Sequence, residues 1–334
     1  MSAAGTISPD KILHDMAELW VTLGKQGEGE AGVLRACSMT LAVAAEEADD
    51  PQGIGETLAA LMQEHPSRAI VIRVEGGAER SLSARVFSQC WMPFGQRKQI
   101  CCEQIEITAS DASLPDLPPV VVPLRVPDLP VMLWCRSARL FRLAAFADLA
   151  AIAQKTIVDS AEFGNARAAL GELSGAAAAG RVLADLAWTR LTRWRELIAQ
   201  VFENRGQVAK VPAVSDILIT YRAAEPPTTA FYFAAWLLDG IGKLGGHARV
   251  EFKPDSGEQN GRLSLVEMRA GGETIASIAL ADGPAADVQT GDLMYKALLP
   301  ALTDCSLMRE ELAIPGRDAG FDGALAAAAR LALG

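Results

Sequence analysis

Three arginines and two tryptophans crowd one short stretch of an otherwise acidic, alanine-rich chain: Trp188, Arg190, Arg193, Trp194 and Arg195, inside Arg181 to Glu203. Tryptophan and arginine are the residue types that most often carry interface energy. Arginine is also the side chain built to grip phosphate with a two-pronged fork. The segment therefore reads as a binding surface for a protein or for a phosphorylated ligand. The alternative is a core helix pair whose arginines are solvated or paired with Asp185 and Glu196.

Other chemistry-bearing residues are sparse. Vicinal Cys101 and Cys102 stand in an expected strand, where successive side chains point to opposite faces. They are poorly placed to bridge each other, at most one can be exposed, and a redox role would belong to one of them. Asp159-Ser160 ends an expected strand, where α/β sheets often bind ligands, and equally suits a helix cap. The run Gly240 to Gly246 has the look of a phosphate loop but follows a helix instead of a strand, which reads as a helix end. His65, ahead of Pro66, reads as a structural hydrogen-bonder. No GxSxG elbow, HExxH pair or Walker loop occurs, and no enzyme emerges from the residues.

The elements that must position these residues are legible from periodicity. From Arg193, the apolar residues Trp194, Leu197, Ile198, Val201 and Phe202 form one helical stripe, with Thr192 as the expected N-cap. Leu183, Leu186 and Ala187 repeat the spacing on a preceding helix. Upstream, the expected order is a helix through Ile12, Met16, Leu19 and Trp20; a loop marked by Gly27, Gly29 and Gly32; and a strand over Val33 to Ala44. A helix over Pro51 to His65, a strand over Arg68 to Glu75, and an antiparallel pair, Leu82 to Trp91 with Gln99 to Ala109, follow. Six prolines within Leu114 to Cys135 predict an extended crossing that ends in a buried strand, Val131 to Cys135. A helix over Phe141 to Gln154 and a strand over Lys155 to Ser160 complete a parallel strand-helix-strand unit.

Residues 162 to 204 read as helical. After them come a strand (Ala213 to Tyr221), a helix (Thr228 to Lys243) and three strands (His247 to Lys253, Arg262 to Arg269, Glu273 to Leu280). This repeats the earlier order of strand, helix and three strands. Helices near Leu293 to Leu302 and over Asp322 to Leu333 end the chain. The expected fold class is thus α/β (α+β), two mixed-sheet modules joined by a helical connector, divided as 1–164 and 165–334.

Composition bounds the partners. The chain has 334 residues, 50% of them hydrophobic, and a formal net charge of -10. That is enough for two domains with large cores, and it argues against nucleic acid, which demands a basic surface. No secretory signal or membrane span is visible, so a cytoplasmic location is expected. Six cysteines without CxxC pairs and three scattered histidines predict no metal site and reduced, buried thiols.

Several blocks resemble the OpcA family of glucose-6-phosphate dehydrogenase assembly proteins. They are His65-Pro66-Ser67-Arg68-Ala69-Ile70, Cys101-Cys102-Glu103-Gln104-Ile105, Val122-Pro123-Leu124, Pro127-Asp128-Leu129-Pro130-Val131, Trp134, Ile157-Val158-Asp159-Ser160 and Asp185 through Leu197. The resemblance runs from about residue 33 to 204 and continues beyond 210 as general layout. It leaves the tail after about Ser306 unplaced. It implies a non-catalytic partner of glucose-6-phosphate dehydrogenase that favours the enzyme's active oligomer, without cofactor or metal. On that footing Trp188, Arg190, Arg193, Trp194 and Arg195, with Pro127, Asp128, Pro130 and Trp134, are the expected docking residues. The rival expectation is a sugar-phosphate- or NADP-binding sensor that uses Arg190, Arg193 and Arg195.

Overall fold

A computed structural model describes residues 7–26, 33–92, 99–258, 260–281 and 283–334. The chain forms two compact units, neither contiguous in sequence. The first comprises Met1–Val158, Arg181–Ala184 and Asp304–Arg317, and the second Asp159–Gly180, Asp185–Thr303 and Asp318–Gly334. The expected loop at Gly27, Gly29 and Gly32 lies outside the described residues.

The first unit opens with α1 (Pro9–Gln26), β1 (Val33–Arg35), β2 (Met39–Glu46) and α2 (Pro51–Leu61). The single strand expected over Val33 to Ala44 is two strands, broken at 36–38, where Ser38 N–H donates to Pro66 O at 2.6 Å. Asp50 caps α2 by accepting from Gln52 and Gly53 N–H, and Pro51 stands in the first turn, where a missing N–H costs nothing. Next come β3 (Ser67–Glu75), β4 (Leu82–Trp91) and β5 (Gln99–Ser110). β4 and β5 pair antiparallel as expected, with Cys90 opposite Cys101.

The proline-rich crossing is a correction. It contains a helix, α3 (Leu117–Leu124), instead of extended chain. Pro118 and Pro119 occupy its first turn, whose N–H groups have no intrahelical acceptor in any case, and their fixed φ already suits a helix. After it come β6 (Val131–Cys135), α4 (Ala138–Arg142), α5 (Ala144–Ala150), β7 (Lys155–Val158) and β8 (Leu183–Asp185). The one helix expected over Phe141 to Gln154 is two, because Leu143 takes extended backbone between them.

The sheet runs β1-β5-β3-β2-β6-β7-β8, with β4 hydrogen-bonded to β5 off that path. From β1 through β7 its strand pairs are parallel, except β4 with β5. Its central strands β2 and β6 are buried nearly throughout, as strands covered on both faces must be, and they read accordingly as unbroken apolar runs. The unplaced tail supplies a helix to this unit at Asp304–Leu312. There Lys155, wholly buried at the start of β7, bonds Glu311 Oε2 at 2.7 Å and the carbonyls of Glu311 and Ile314 at 3.1 and 2.9 Å.

The second unit contains α6 (Ala166–Ala178), α7 (Leu186–Thr189), α8 (Thr192–Val201), α9 (Arg205–Val208), β9 (Asp216–Tyr221) and α10 (Thr228–Lys243). Residues 162–204 are therefore not one helical run. Leu183 lies in strand β8, and the spacing of Leu183, Leu186 and Ala187 spans a strand and a one-turn helix. Then follow β10 (Arg249–Pro254), β11 (Leu263–Ala270), β12 (Glu273–Leu280), β13 (Ala285–Thr290) and β14 (Leu293–Leu298). The expected helix over Leu293 to Leu302 is instead strand β14 paired antiparallel with β13. After α11 (Asp304–Leu312) comes α12 (Ala319–Leu333).

This sheet runs β10-β9-β11-β12-β13-β14. Helices α10, α12 and α6 pack together, with Phe231, Phe233 and Ala234 of α10 buried, as are Phe321, Ala324 and Ala328 of α12. Both units keep the α/β class. Each contains a parallel strand-helix-strand step, β2-α2-β3 and β9-α10-β10. The pairings then diverge: β3 takes β5 in parallel, whereas β9 takes β11 antiparallel.

Candidate functional site

The arginine-tryptophan stretch is held by a buried carboxylate in the second unit. Asp185 is wholly buried. It accepts from the N–H groups of Ser160 and Ala187, each at 2.9 Å, and from the Tyr232 hydroxyl at 2.8 Å. One side chain thus caps α7 and ties it to the start of the second unit and to the second turn of α10. Burial pushes its pKa up to about 6, the neighbouring Asp159 charge adds to the rise, and the hydrogen bonds from Ser160 oppose it.

Asp159 caps the following turn through Ala161 N–H at 3.2 Å and takes Arg190 in a two-pronged pair, 2.6 Å on each oxygen. The pairing expected between these arginines and Asp185 is therefore corrected for Arg190, whose carboxylate is Asp159. Glu196 does pair with Arg193, at 2.8 Å.

Thr192 is the first helical residue of α8, not its cap: the cap position is Leu191, whose side chain makes no capping bond. The Thr192 hydroxyl instead receives Arg195 Nη2 at 2.9 Å. Arg195 lies over the Trp188 ring, 3.5 Å from its centroid, and also donates to the Trp188 carbonyl at 2.9 Å. Trp188 meets Tyr232 edge-on at 5.9 Å, and Trp194 meets Phe233 edge-on at 6.1 Å. Both tryptophans are buried. They frame the segment, and the accessible chemistry beside them belongs to the arginines.

A cavity of about 1050 Å³ opens within this unit. Arg190, Arg193 and Trp194 line it, joined by Arg167, Arg262, Glu162, Glu225 and the start of α10 at Thr228 and Thr229; Trp188 and Arg195 stand outside the lining. The start of α10 has no side-chain cap, since its cap position is Pro227. The hydroxyls of Thr228 and Thr229 are buried without a hydrogen-bond partner. Sequence reasoning found three of these residues by composition and missed the threonines, Arg167 and Arg262. The Pro226-Pro227-Thr228-Thr229 run before an apolar helix is the signal that marked this helix start. The glycine run overlaps the last turn of α10, with Gly240 and Gly242 inside the helix, and ends it at Leu244 and Gly245, the latter at φ 83°.

The other expected site residues lie in the first unit. Pro127 and Asp128 are exposed, Pro130 is half-buried, and Asp128 takes the left-handed region at φ 62°. Trp134 is buried in β6, with Arg136 stacked over its ring at 4.7 Å. A wholly buried ring offers no surface to a partner, so Trp134 is part of the core of its sheet.

The cysteines bring a correction. Cys90 and Cys101 form a disulfide across the β4–β5 pair, their Cα atoms 4.1 Å apart, where reduced thiols were expected. Directly opposed residues of antiparallel strands bring their Cβ atoms close enough to bridge. Cys102 is a free thiol that donates to Ala36 O at 3.3 Å, and burial pushes its pKa up to about 11. Beside it, buried Glu103 holds Trp20 Nε1, Arg35 and Arg68, each at 2.5 Å, while Arg68 also donates to Leu124 O at 2.7 Å. The family-like block at Cys101 to Ile105 thus pins α1, β1, β3 and the end of α3 to one carboxylate. Among the described residues no cluster of three or more His, Cys, Asp or Glu could hold a metal ion, and no helix is long and apolar enough to cross a membrane.

Two family models match this chain: the glucose-6-phosphate dehydrogenase subunit N-terminal domain over residues 58–175 and the corresponding C-terminal domain over residues 181–325. The OxPP cycle protein OpcA of Nostoc punctiforme is 28% identical over 69% of this chain and 48% of its own length. That of Synechococcus elongatus is 26% identical over 74% of this chain and 56% of its own length. The chain spans about half the length of these curated relatives. Among solved structures, a dehydrogenase from Chromobacterium violaceum is similar at a TM-score of 0.46 and 11% identity, covering 89% of this chain and 94% of that one. A likeness at that level carries nothing about ligand or reaction.

Proposed function

Because the chain belongs to the OpcA family, we propose that it is a non-catalytic partner of glucose-6-phosphate dehydrogenase that favours the enzyme's active oligomer. The observation that carries this reading is the match of both dehydrogenase-subunit domain models, which together cover most of the chain. The mechanism is linkage. A partner that binds the active form more tightly than the inactive one shifts the population toward it, by no more than the difference in affinity.

The second unit offers a surface suited to that task. Strand β14 is the last strand of its sheet, and it exposes Leu293 and Met294 at 70% each and Leu298 at 61%. Exposed apolar side chains on a sheet edge are what a partner covers. Arg193 adjoins this row, since its Nε donates to Leu298 O at 3.2 Å. An apolar row rimmed by arginine matches the composition of interface hot spots. Of the residues expected to dock, Arg193 borders this surface.

The test is a dehydrogenase assay with and without the full chain, run beside size-exclusion chromatography of the mixture. Activation together with co-elution is expected, and both should weaken in Met294→Asp and in Arg193→Ala, with thermal melts unchanged. An enzyme whose kcat, KM and elution ignore the protein overturns the reading.

A further inference from the structure

We propose that the cavity of the second unit is a binding site for a phosphate ester, a phosphorylated sugar or nucleotide whose phosphate sits at the start of α10. Three observations converge there. The first turn of this 16-residue helix has no side-chain cap and opens on the cavity. A helix N-terminus presents free N–H groups and the positive end of the helix dipole, the standard preference of a phosphate.

The second observation is the pair of orphaned hydroxyls. Thr228 and Thr229 are 1% and 8% exposed, line the cavity, and leave their Oγ1 atoms without a partner. A buried hydroxyl that bonds nothing carries an uncompensated desolvation penalty, which a ligand that bonds it offsets. A threonine moves its hydroxyl between staggered χ1 wells, so a bound anion can recruit it.

The third observation is charge. Four arginines line the cavity against two carboxylates, Glu162 and Glu225. Arg190 is committed to Asp159, and Arg193 to Glu196 and Leu298 O. Arg167 directs one nitrogen to Ala332 O and stacks on Phe231, which leaves the rest of its fork. Arg262 has no carboxylate partner among the described residues and is exposed at the cavity's edge. Arg262 and Arg167 are thus the cations free to close on a dianion. Pro227, Leu280, Pro300 and Leu302 give the cavity an apolar wall for the organic body of the ester. Arg195, grouped with Arg190 and Arg193 on sequence grounds, takes no part.

The site is independent of dehydrogenase binding and is tested on the full chain alone. Isothermal calorimetry with glucose 6-phosphate, NADP, inorganic phosphate and glucose separates the cases. The esters should bind, inorganic phosphate more weakly, and uncharged glucose not at all; whichever ester binds more tightly identifies the organic body. Thr228→Val keeps the side-chain shape and Arg262→Ala changes a solvent-accessible residue. Each should weaken ester binding about ten-fold, the worth of one hydrogen bond to a charged group. The melt of unliganded Thr228→Val should stay level or rise, because an unsatisfied hydroxyl has been removed; if that variant fails to fold, Arg262→Ala decides. No heat with either ester at millimolar concentration, or binding that neither variant alters, overturns the proposal. Met294→Asp should leave ester binding intact, which keeps this outcome separate from that of the docking surface.

Discussion

The hydroxyl of Tyr232 donates to the carboxylate of Asp185 at 2.8 Å, and both side chains are wholly buried. Burial raises the Asp185 pKa from 3.8 to about 6, so the folded protein holds this proton more tightly than the unfolded chain does. The stability it contributes is fully present below the unfolded value and is lost as pH rises through the folded one. The gap between the folded and unfolded values corresponds to roughly 3 kcal/mol, lost between about pH 4 and pH 6. Asp185→Asn, neutral at every pH and of the same shape, should gain that much on the wild type as pH rises from 4 to 7. Urea unfolding of both proteins at several pH values measures it; parallel curves would refute the assignment.

Lys155 and Glu311 are a buried ion pair joining β7 to the segment that returns after residue 303. Removing one partner of such a pair strands the other's charge and costs about 3–5 kcal/mol. Lys155→Met should show a loss of that order in chemical denaturation, and Lys155→Met with Glu311→Gln should recover part of it. Strictly additive losses would mean that the two charges are not coupled in the fold.

How far the sequence reached depended on whether a feature was local. Thr228 to Lys243 was legible at both ends, because two prolines precede it and a glycine run closes it. Val131 to Cys135 was legible because a fully buried parallel strand is an unbroken apolar run. Leu293 to Leu298 was not: six residues, exposed on most of their side chains, carry neither the alternation of a half-buried strand nor a clear helical stripe. The site divides in the same way. Arg190, Arg193 and Trp194 announced themselves by composition. Arg262 and Thr228 are ordinary residues that matter only because folding brings the start of β11, α10 and α8 to one cavity. Cys90 and Cys101 likewise depend on register, which set them opposite each other across β4 and β5.

The thiol count tests that register directly. Denatured without reductant, the protein should take four equivalents of a thiol-blocking reagent, on Cys37, Cys102, Cys135 and Cys305. With reductant it should take six. In the native state only the half-buried Cys37 and Cys305 should react readily, since Cys102 and Cys135 are buried with pKa values pushed to about 11 and 12. Mass spectrometry reads all three numbers, and six labels without reductant would remove the disulfide.

Arg190 and Asp159 bear on the same buried carboxylate from the other side. Asp159 already raises the Asp185 pKa by its charge, and Arg190 neutralises Asp159 through both oxygens. Arg190→Ala should therefore cost about 2–3 kcal/mol at neutral pH, the worth of hydrogen bonds to a charged group. It should also move the Asp185 transition to higher pH, because Asp159 then acts on it unopposed. Adding Asp159→Asn should return most of the stability and carry the transition below its wild-type position, since both the stranded charge and its repulsion are gone. Arg190→Lys keeps the charge but not the fork, and should fall between wild type and alanine. Denaturation across pH 4 to 8 reads these effects together. A transition that stays fixed through all three variants would show that Asp185 titrates without regard to Asp159.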